Sequence, residues 1–163
     1  MGEQPLWAPW RTEYVGSAKH EGCVFCAAVS AGDDVAARIV DRGNTCFTLL
    51  NAYPYASGHV MVVPYRHVAG LDELEDAEQL DVFRLSRRAV AALESVMHPH
   101  GFNIGLNLGE AAGAGFADHL HLHVVPRWRG DTNFMPVLAG TRVVSQALEA
   151  TREALARAMD RLD

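Results

Sequence analysis

The chain has 163 residues, a length that predicts one domain with a core of its own. Apolar residues make up 49%, charged residues 21%, and the net charge is −6, which argues against sequence-independent DNA binding because that requires an excess of Lys and Arg. The N-terminus lacks a basic segment followed by an apolar one, and no apolar run reaches the roughly 20 residues of a membrane-spanning helix. We therefore expect a cytoplasmic protein that binds neither nucleic acid nor membrane.

The N-terminal arm carries Trp7 and Trp10 on either side of Pro9. Two tryptophans beside a proline indicate a segment that packs on a surface. The first possibility is that the arm covers the protein's own core. The alternative is that it contributes to a subunit interface or covers a bound base. We predict a single domain over residues 1–163, made of the arm at 1–22, a core at 23–134 and a C-terminal helix within 141–163.

The part of the chain that follows the arm predicts three short strands. Runs of apolar and β-branched residues alternate with turn residues, and a Gly-Asn pair joins the first two runs. Pro64 closes the third run. The strands are expected to form an antiparallel meander at residues 38–41, 46–50 and 59–63.

A long helix is predicted next. Asp76 with Gln79 three residues later resembles a capping box, and Pro99 with Gly101 would end the helix. Large apolar residues at helical spacing predict its buried face. They are Leu80, Phe83, Val90, Leu93 and Met97.

Two further strands, at 102–106 and 119–125, complete the predicted sheet, and Pro126 is expected to end the second. The order of elements predicts an α+β fold. Its antiparallel sheet is accompanied by one long inserted helix and one C-terminal helix.

Three cysteines bear on the compartment and on metal binding. In a reducing compartment, a Cys-x-x-Cys pair is more typical of a metal or redox site than of a structural disulfide. Cys23 and Cys26 supply half of a tetrahedral zinc site, while a reduced pair without metal and a redox pair are the alternatives. Cys46 lies in an apolar strand and is expected to pack in the core.

The run His119-Leu120-His121-Leu122-His123-Val124-Val125 has the most specific chemical pattern in the chain. In an extended strand the side chains alternate, so the three histidines would share one face and the apolar residues the other. Besides a row on a solvated surface, two interpretations are open. The histidines are three ligands of one metal, or one is a nucleophile oriented by its neighbours. A nucleophilic imidazole attacks phosphorus through one nitrogen while the other donates to an acceptor that fixes the tautomer.

This His-φ-His-φ-His-φ-φ pattern, in which φ is apolar, resembles the signature of the histidine-triad (HIT) superfamily of nucleotide hydrolases and transferases. Supporting matches extend from about residue 38 to residue 134. The resemblance is nearest to the branch of bacterial diadenosine tetraphosphate phosphorylases and dinucleoside polyphosphate hydrolases. It implies a HIT-like fold whose sheet extends across a homodimer. The supporting segments are Asn51 to Pro64, Asn103 to Asn107 and Pro126 to Asp131.

The resemblance implies a role for each histidine of the site. His121 would be the nucleophile, and His123 and His59 would form the hydrogen-bonded chain that orients it. His119, the first histidine of the triad, belongs to the same group. The implied catalytic residues are His121, His123, His59 and His119.

The resemblance also implies how a nucleotide is held. Asn51 would bind the ribose hydroxyls, because an amide both donates and accepts hydrogen bonds, and Asn107 would contact the phosphate. Backbone N–H groups of a Gly-rich turn would cradle the phosphate oxygens, with a plain flexible turn as the alternative. The turn residues implied are Gly113, Ala114 and Gly115. Many relatives have Gln or Ser in this turn, whereas this chain has neither residue there.

Several relatives that have the cysteine pair complete a zinc site with two histidines. One follows the proline of the third strand, and the other is the first histidine of the triad. The resemblance therefore implies structural Zn²⁺ at Cys23, Cys26, His67 and His119. Zinc would prevent the His119 ring from protonating a leaving group, which is tolerable because ATP or ADP leaves readily at neutral pH.

The resemblance therefore implies an enzyme that cleaves dinucleoside polyphosphates through a covalent nucleotidyl-histidine intermediate, with diadenosine tetraphosphate as the expected substrate. Adenine nucleotides are therefore the expected partners. Inorganic phosphate is the favoured acceptor and gives ADP and ATP, whereas water gives AMP and ATP. Arg127, Trp128 and Arg129 lie near enough in sequence to help to hold the acceptor. The alternatives are a nucleoside phosphoramidate hydrolase and a nucleotide-binding protein with little turnover.

Overall fold

The computed structural model describes residues 22–131 and 148–162. The predictions for Trp7 and Trp10, for the end of the core at 132–134 and for the beginning of the helix predicted within 141–163 lie outside these residues.

One antiparallel sheet of five strands organises the described residues, in the spatial order β1-β2-β3-β5-β4. The first three strands form the predicted meander, and β5 lies between β3 and β4. The predicted α+β class and antiparallel sheet are confirmed. The strands are β1 (Ile39–Arg42), β2 (Cys46–Leu50), β3 (Val60–Pro64), β4 (Gly101–Leu106) and β5 (Leu122–Arg127).

Three α-helices of the described residues pack on this sheet. Two of them, the long inserted helix and the C-terminal helix, were predicted, whereas the first was missed because it has only 7 residues and lacks a full amphipathic repeat. Among the described residues no helix combines the length and the apolar character needed to span a membrane. The helices are α1 (Val24–Ser30), α2 (Asp76–Met97) and α3 (Leu148–Asp160).

The central strands β2, β3 and β5 are buried on both faces. On one face, alternate residues such as Leu122 and Val124 pack against α2 and α3. On the other face, Phe47 and Met61 pack against Phe25 of α1. Because side chains alternate along a strand, the histidines between the apolar residues of β5 lie on the face that α1 covers.

Helix α2 differs from its prediction in its first turn and in its buried face. The helix is capped at Glu75, whose backbone N–H donates to the Glu78 carboxylate at 2.9 Å, so the predicted Asp76–Gln79 capping box is wrong. Leu80 and Phe83 are 72% and 69% exposed. Leu93 is buried in the core as predicted, and Val90 and Met97 are partly buried against it. The other core residues of the helix were missed, and they are Val82, Leu85, Ala89 and Ala92.

The histidine strand also has different bounds from those predicted. Strand β5 begins at Leu122, so His119 lies before it, and it continues through Pro126 to Arg127. Pro126 is tolerated because the pairing with β3 has already ended at Val124, and only β4 pairs with this part of β5.

Cys46 packs in the core as predicted. It is fully buried at the start of β2, and burial raises the pKa of its thiol to about 11. The thiol is therefore neutral and not nucleophilic at neutral pH.

The buried face of α2 can be tested with two leucine variants. Leu85→Ala should lower the free energy of unfolding by about 2–5 kcal/mol, because Leu85 is only 2% exposed and its truncation leaves a cavity. The exposed Leu80→Ala is the matched control and should change it by less than about 0.5 kcal/mol. Urea unfolding measures both, and equal losses would contradict the orientation of the helix.

Candidate active site

Four imidazole rings are buried beside the central strands β3 and β5, which run antiparallel to each other. Their exposure is 8% or less, so hydrogen bonds within the protein set the orientation of these rings. His59 comes directly before β3, and His121 directly before β5. The four rings are those of His59, His119, His121 and His123.

A chain of hydrogen bonds starting at a backbone amide orients His123. The Tyr55 N–H donates to His59 Nδ1 at 3.1 Å, so that nitrogen carries the lone pair and the proton of a neutral His59 lies on Nε2. His59 Nε2 then donates to His123 Nδ1 at 2.9 Å. The proton of a neutral His123 therefore lies on its Nε2. The Tyr55 ring stacks on His59 with centroids 4.9 Å apart, which further restrains that ring.

His121 has the opposite tautomer. Its Nδ1 lies 2.8 Å from the carbonyl oxygen of His119, and a carbonyl can only accept, so Nδ1 holds the proton. The lone pair of a neutral ring then lies on Nε2, the nitrogen through which an imidazole can attack. The ring is perpendicular to that of His123, with centroids 4.9 Å apart. An imidazole with a lone pair on Nε2 and a ring with a donor nitrogen thus lie side by side.

His119 differs from the other two histidines of the run, because its ring turns to a different partner. Its Nε2 donates to the Pro64 carbonyl at 3.0 Å, which directs the lone pair of Nδ1 toward the cysteine pair. Burial is the main cause that lowers the pKa of His119, so the ring stays neutral, as a metal ligand must. Its side chain and its carbonyl therefore serve two different parts of the site.

The four predicted zinc ligands come together in a compact cluster. Cys23 Sγ lies 3.1 Å and Cys26 Sγ 3.7 Å from His119 Nδ1, and Cys26 Sγ lies 3.4 Å from His67 Nδ1. All four ligand atoms lie within 4.8 Å of one another. A tetrahedral zinc site with Zn–S near 2.3 Å and Zn–N near 2.1 Å has edges of roughly 3.6 Å, so these residues fit such an ion. The cluster does not include the rings of His121 and His123.

Asn51 and Asn107 lie at two borders of the histidine cluster. The Asn51 side chain accepts from the Tyr53 N–H at 2.8 Å, and its amide nitrogen lies 3.4 Å from His59 Nδ1. Asn107 follows Leu106, the last residue of β4, which pairs with Leu122, the residue after His121. The Asn51 amide therefore lies beside His59, and a phosphate contact by Asn107 stays a prediction.

The Gly-rich turn begins with a short 3₁₀ segment, Glu110–Ala112. Gly113 follows with a φ of 82°, a conformation that a glycine adopts without strain, and its N–H donates to the Glu110 carbonyl at 2.9 Å. The Gly113 N–H is therefore used inside the turn, and the assignment of Ala114 and Gly115 to a phosphate stays a prediction.

The segment that follows the triad forms a closed ion pair. Arg127 donates through Nε and Nη2 to Asp131 at 2.5 and 2.9 Å, and through Nη1 to Asn103 at 2.7 Å. The positive charge of Arg127 is therefore balanced within the protein. A second anion near this residue would have to compete with a carboxylate.

The sequence did not identify two aromatic residues of the site, Tyr55, which stacks on His59, and Phe25. Phe25 of α1 lies against His121, with ring centroids 5.1 Å apart, and against His119 at 5.4 Å. Its position between the two cysteines of the Cys-x-x-Cys motif was the available signal. An apolar residue that lies between two candidate metal ligands in the chain packs close to the site that those ligands form.

The fold is α+β with an antiparallel sheet, and it buries a chain of hydrogen-bonded histidines beside one imidazole whose lone pair lies on Nε2. These features define a protein of the histidine-triad class. A family model described as the HIT domain matches residues 33–130. The chain belongs to the HIT family, as its sequence predicted.

Relatives of known sequence extend this similarity over nearly the whole chain. The chain is 42% identical over 161 residues to a protein named AP-4-A phosphorylase from Mycobacterium tuberculosis, covering 94% of this chain and 83% of the relative. It is 30% identical over 105 residues to an adenosine 5'-monophosphoramidase from Schizosaccharomyces pombe, covering 64% of this chain and 74% of that protein.

Solved structures of the family have the same architecture. A zinc-bound histidine triad family protein from Mycobacterium smegmatis superposes with a TM-score of 0.70 at 28% identity, covering 87% of this chain and 96% of the other. A histidine triad nucleotide-binding protein from Sulfolobus tokodaii gives 0.69 at 21% identity, covering 86% of this chain and 93% of the other, which supports the fold alone.

The hydrogen bonds predict opposite neutral tautomers for two histidines. His121 should carry its proton on Nδ1, because that nitrogen faces a carbonyl, and His59 should carry it on Nε2, because its Nδ1 accepts from a backbone amide. Long-range ¹H–¹⁵N correlation spectra of the imidazole rings distinguish the two forms, with assignments from single His→Gln variants. Finding the proton of neutral His121 on Nε2 would contradict the geometry, because a lone pair would then face the His119 carbonyl.

Proposed function

We propose that this HIT-family enzyme cleaves dinucleoside polyphosphates, with diadenosine tetraphosphate as the principal substrate, by transferring a nucleotidyl group to His121. The observation that supports this most directly is the bond from His121 Nδ1–H to the His119 carbonyl, which leaves the Nε2 lone pair for attack. The 42% identity to an AP-4-A phosphorylase over 94% of the chain supports the substrate class.

In the first step His121 Nε2 attacks the α-phosphorus of one adenosine. The nitrogen–phosphorus bond forms, the bond to the bridging oxygen breaks, and its electron pair leaves with ATP. The ring becomes cationic, and its Nδ1–H continues to donate to the His119 carbonyl, which stabilises the charge. The His123 Nε2–H, whose position the His59 bond sets, is the donor for a phosphoryl oxygen.

In the second step an oxygen of the acceptor attacks the same phosphorus. The nitrogen–phosphorus bond breaks, and its electron pair returns to Nε2. Inorganic phosphate as acceptor gives ADP, so the overall products are ADP and ATP. The name of the M. tuberculosis relative supports this choice over water.

A second candidate activity is the hydrolysis of nucleoside phosphoramidates, which would use the same nucleophile. The similarity to the S. pombe adenosine 5'-monophosphoramidase favours it, but that similarity covers only 64% of this chain. The wider match to the phosphorylase makes dinucleotide cleavage the preferred activity.

We further propose that Cys23, Cys26, His67 and His119 hold a structural zinc ion. Zinc would supply no step of the reaction and would fix the start of the catalytic segment through His119. Two observations support it: the Nδ1 lone pair of His119 points into the cluster, and the four ligand atoms fit a tetrahedron. The three cysteines are free thiols, which fits the reducing cytoplasm that we propose as its location.

A homodimer that joins two sheets is the proposed assembly. Strand β4 is at the end of the strand order and pairs only with β5 among the described residues. Ile104 in this strand is 49% exposed. An open edge with an exposed apolar residue suits pairing with the same edge of a second copy.

The acceptor and the nucleophile can be tested in one experiment. With diadenosine tetraphosphate and phosphate, the wild type should release ADP and ATP, and His121→Ala should lower kcat by at least about 10³-fold because the attacking nitrogen is lost. Separation of the nucleotides by chromatography gives the products, and calorimetry should show that the variant still binds AMP.

His98→Asn is the matched control, because His98 is exposed and has a φ of 48°, which asparagine tolerates. It should retain wild-type kcat. If AMP and ATP are the only products both with and without phosphate, phosphorolysis is excluded. Absence of turnover in the wild type would contradict the enzymatic function itself.

Zinc binding can be tested by metal analysis of purified variants. Cys26→Ala and His67→Ala should each lose most of the zinc, which is expected at about one ion per chain, because three ligands hold the ion more weakly than four. Cys46→Ala is the control, since Cys46 is buried in the core away from the cluster. Equal zinc contents in all three variants would disprove the assignment.

A further inference from the structure

A buried aromatic ring connects three parts of the site. Phe25 is 4% exposed, and its ring centroid lies 5.1 Å from that of His121, 5.4 Å from that of His119 and 5.9 Å from that of Phe116. Phe25 has no group that could act as an acid, a base or a ligand. Any role that it has in the reaction must therefore be exerted through the rings that it contacts.

The contact with His121 supplies a restraint that the hydrogen bond does not. The bond from Nδ1–H to the His119 carbonyl fixes one atom of the imidazole, but the ring can still rock about that atom, because the χ2 torsion of histidine is broad. The Phe25 ring packs beside the imidazole at an interplanar angle of 41°. Because both rings are buried, rocking would force them to overlap.

The contact with Phe116 extends the restraint to the Gly-rich turn. Phe116 lies three residues after Gly113 and meets the Phe25 ring edge-on. It is partly buried against the same apolar cluster as Phe25. Glycine and alanine in this turn offer little side chain for packing, so the Phe25–Phe116 contact fixes the end of the turn relative to the nucleophile.

The position of Phe25 is determined in turn by the cysteine pair. Phe25 lies in the first turn of α1, between Cys23 and Cys26, and both sulfur atoms lie within 3.7 Å of His119 Nδ1. A short helix held at both of these residues leaves little freedom for the ring between them.

We propose that Phe25 is a positioning residue for the nucleophile, which holds the His121 imidazole in the orientation for in-line attack and ties it to the Gly-rich turn. The inference rests on the proposed nucleotidyl transfer to His121. Phe25 acts through the ring of His121 and through Phe116, and it takes no part in proton or group transfer.

The test replaces the ring by an aliphatic side chain. Phe25→Leu should lower kcat for diadenosine tetraphosphate by about 10-fold to 100-fold, while KM changes less than about threefold, because misplacing the attacking nitrogen affects the transition state more than binding. Its zinc content should equal that of the wild type.

Phe47→Leu is the matched control. Phe47 is fully buried in the same apolar cluster and stacks on Tyr65 at 5.4 Å, so its loss disturbs packing to a similar degree. The Phe47→Leu variant should retain kcat within about threefold, although its melting temperature should fall by about as much as that of Phe25→Leu. Equal losses of kcat in both variants would overturn the proposal in favour of general packing. A raised KM with unchanged kcat in Phe25→Leu would overturn it in favour of substrate contact.

A spectroscopic measurement separates this inference from the proposed function. The His121 Nδ1–H proton should give a sharp hydrogen-bonded ¹H resonance in the wild type and in Phe47→Leu. It should broaden or disappear in Phe25→Leu, and an unchanged resonance would overturn the proposal. If the wild type does not turn over dinucleotides, the proposed function fails and the resonance alone decides the role of Phe25. If the wild type is active and Phe25→Leu matches it, only this inference fails.

Discussion

The hydrogen bond from His121 Nδ1–H to the carbonyl of His119 is the constraint on which the rest of the site depends. A neutral imidazole with its lone pair on one nitrogen carries its proton on the other, and an acceptor for that proton fixes this tautomer. A backbone carbonyl is a dependable acceptor, because it cannot donate and cannot change its protonation state. The position of that carbonyl depends on the residue to which it belongs, so whatever holds His119 also orients the His121 ring.

His119 is held at both of its ring nitrogens. Its Nε2 donates to the Pro64 carbonyl at the end of β3, and its Nδ1 faces the sulfur atoms of Cys23 and Cys26. These contacts connect His121 to the sheet on one side and to α1 on the other. The two remaining histidines, His59 and His123, are fixed independently by the backbone amide of Tyr55. Each tautomer in the site is thus set by a backbone group.

The sheet makes this arrangement possible because its central strands are covered on both faces. Helices α2 and α3 bury one face, and α1 with its apolar cluster buries the other, where the histidines lie. Burial excludes the water that would compete for imidazole hydrogen bonds, so each of these bonds is stronger than on a surface. The same burial makes a polar ring nitrogen without a partner costly, which explains the dense network around a few residues.

The sequence by itself determined the elements whose signals are local. Strand alternation, the Gly-Asn turn and the His-φ-His-φ-His pattern each depend on neighbours in the chain, so the antiparallel sheet, the two long helices and the histidines of the candidate site could be predicted. The tertiary structure alone decided the hydrogen-bond partners of the histidines, because folding brings the Pro64 carbonyl and the Tyr55 amide to them. It also decided which face of α2 is buried and that Phe25 lies against His121, since a helix carrying large apolar residues on several sides is oriented by the surface that it meets.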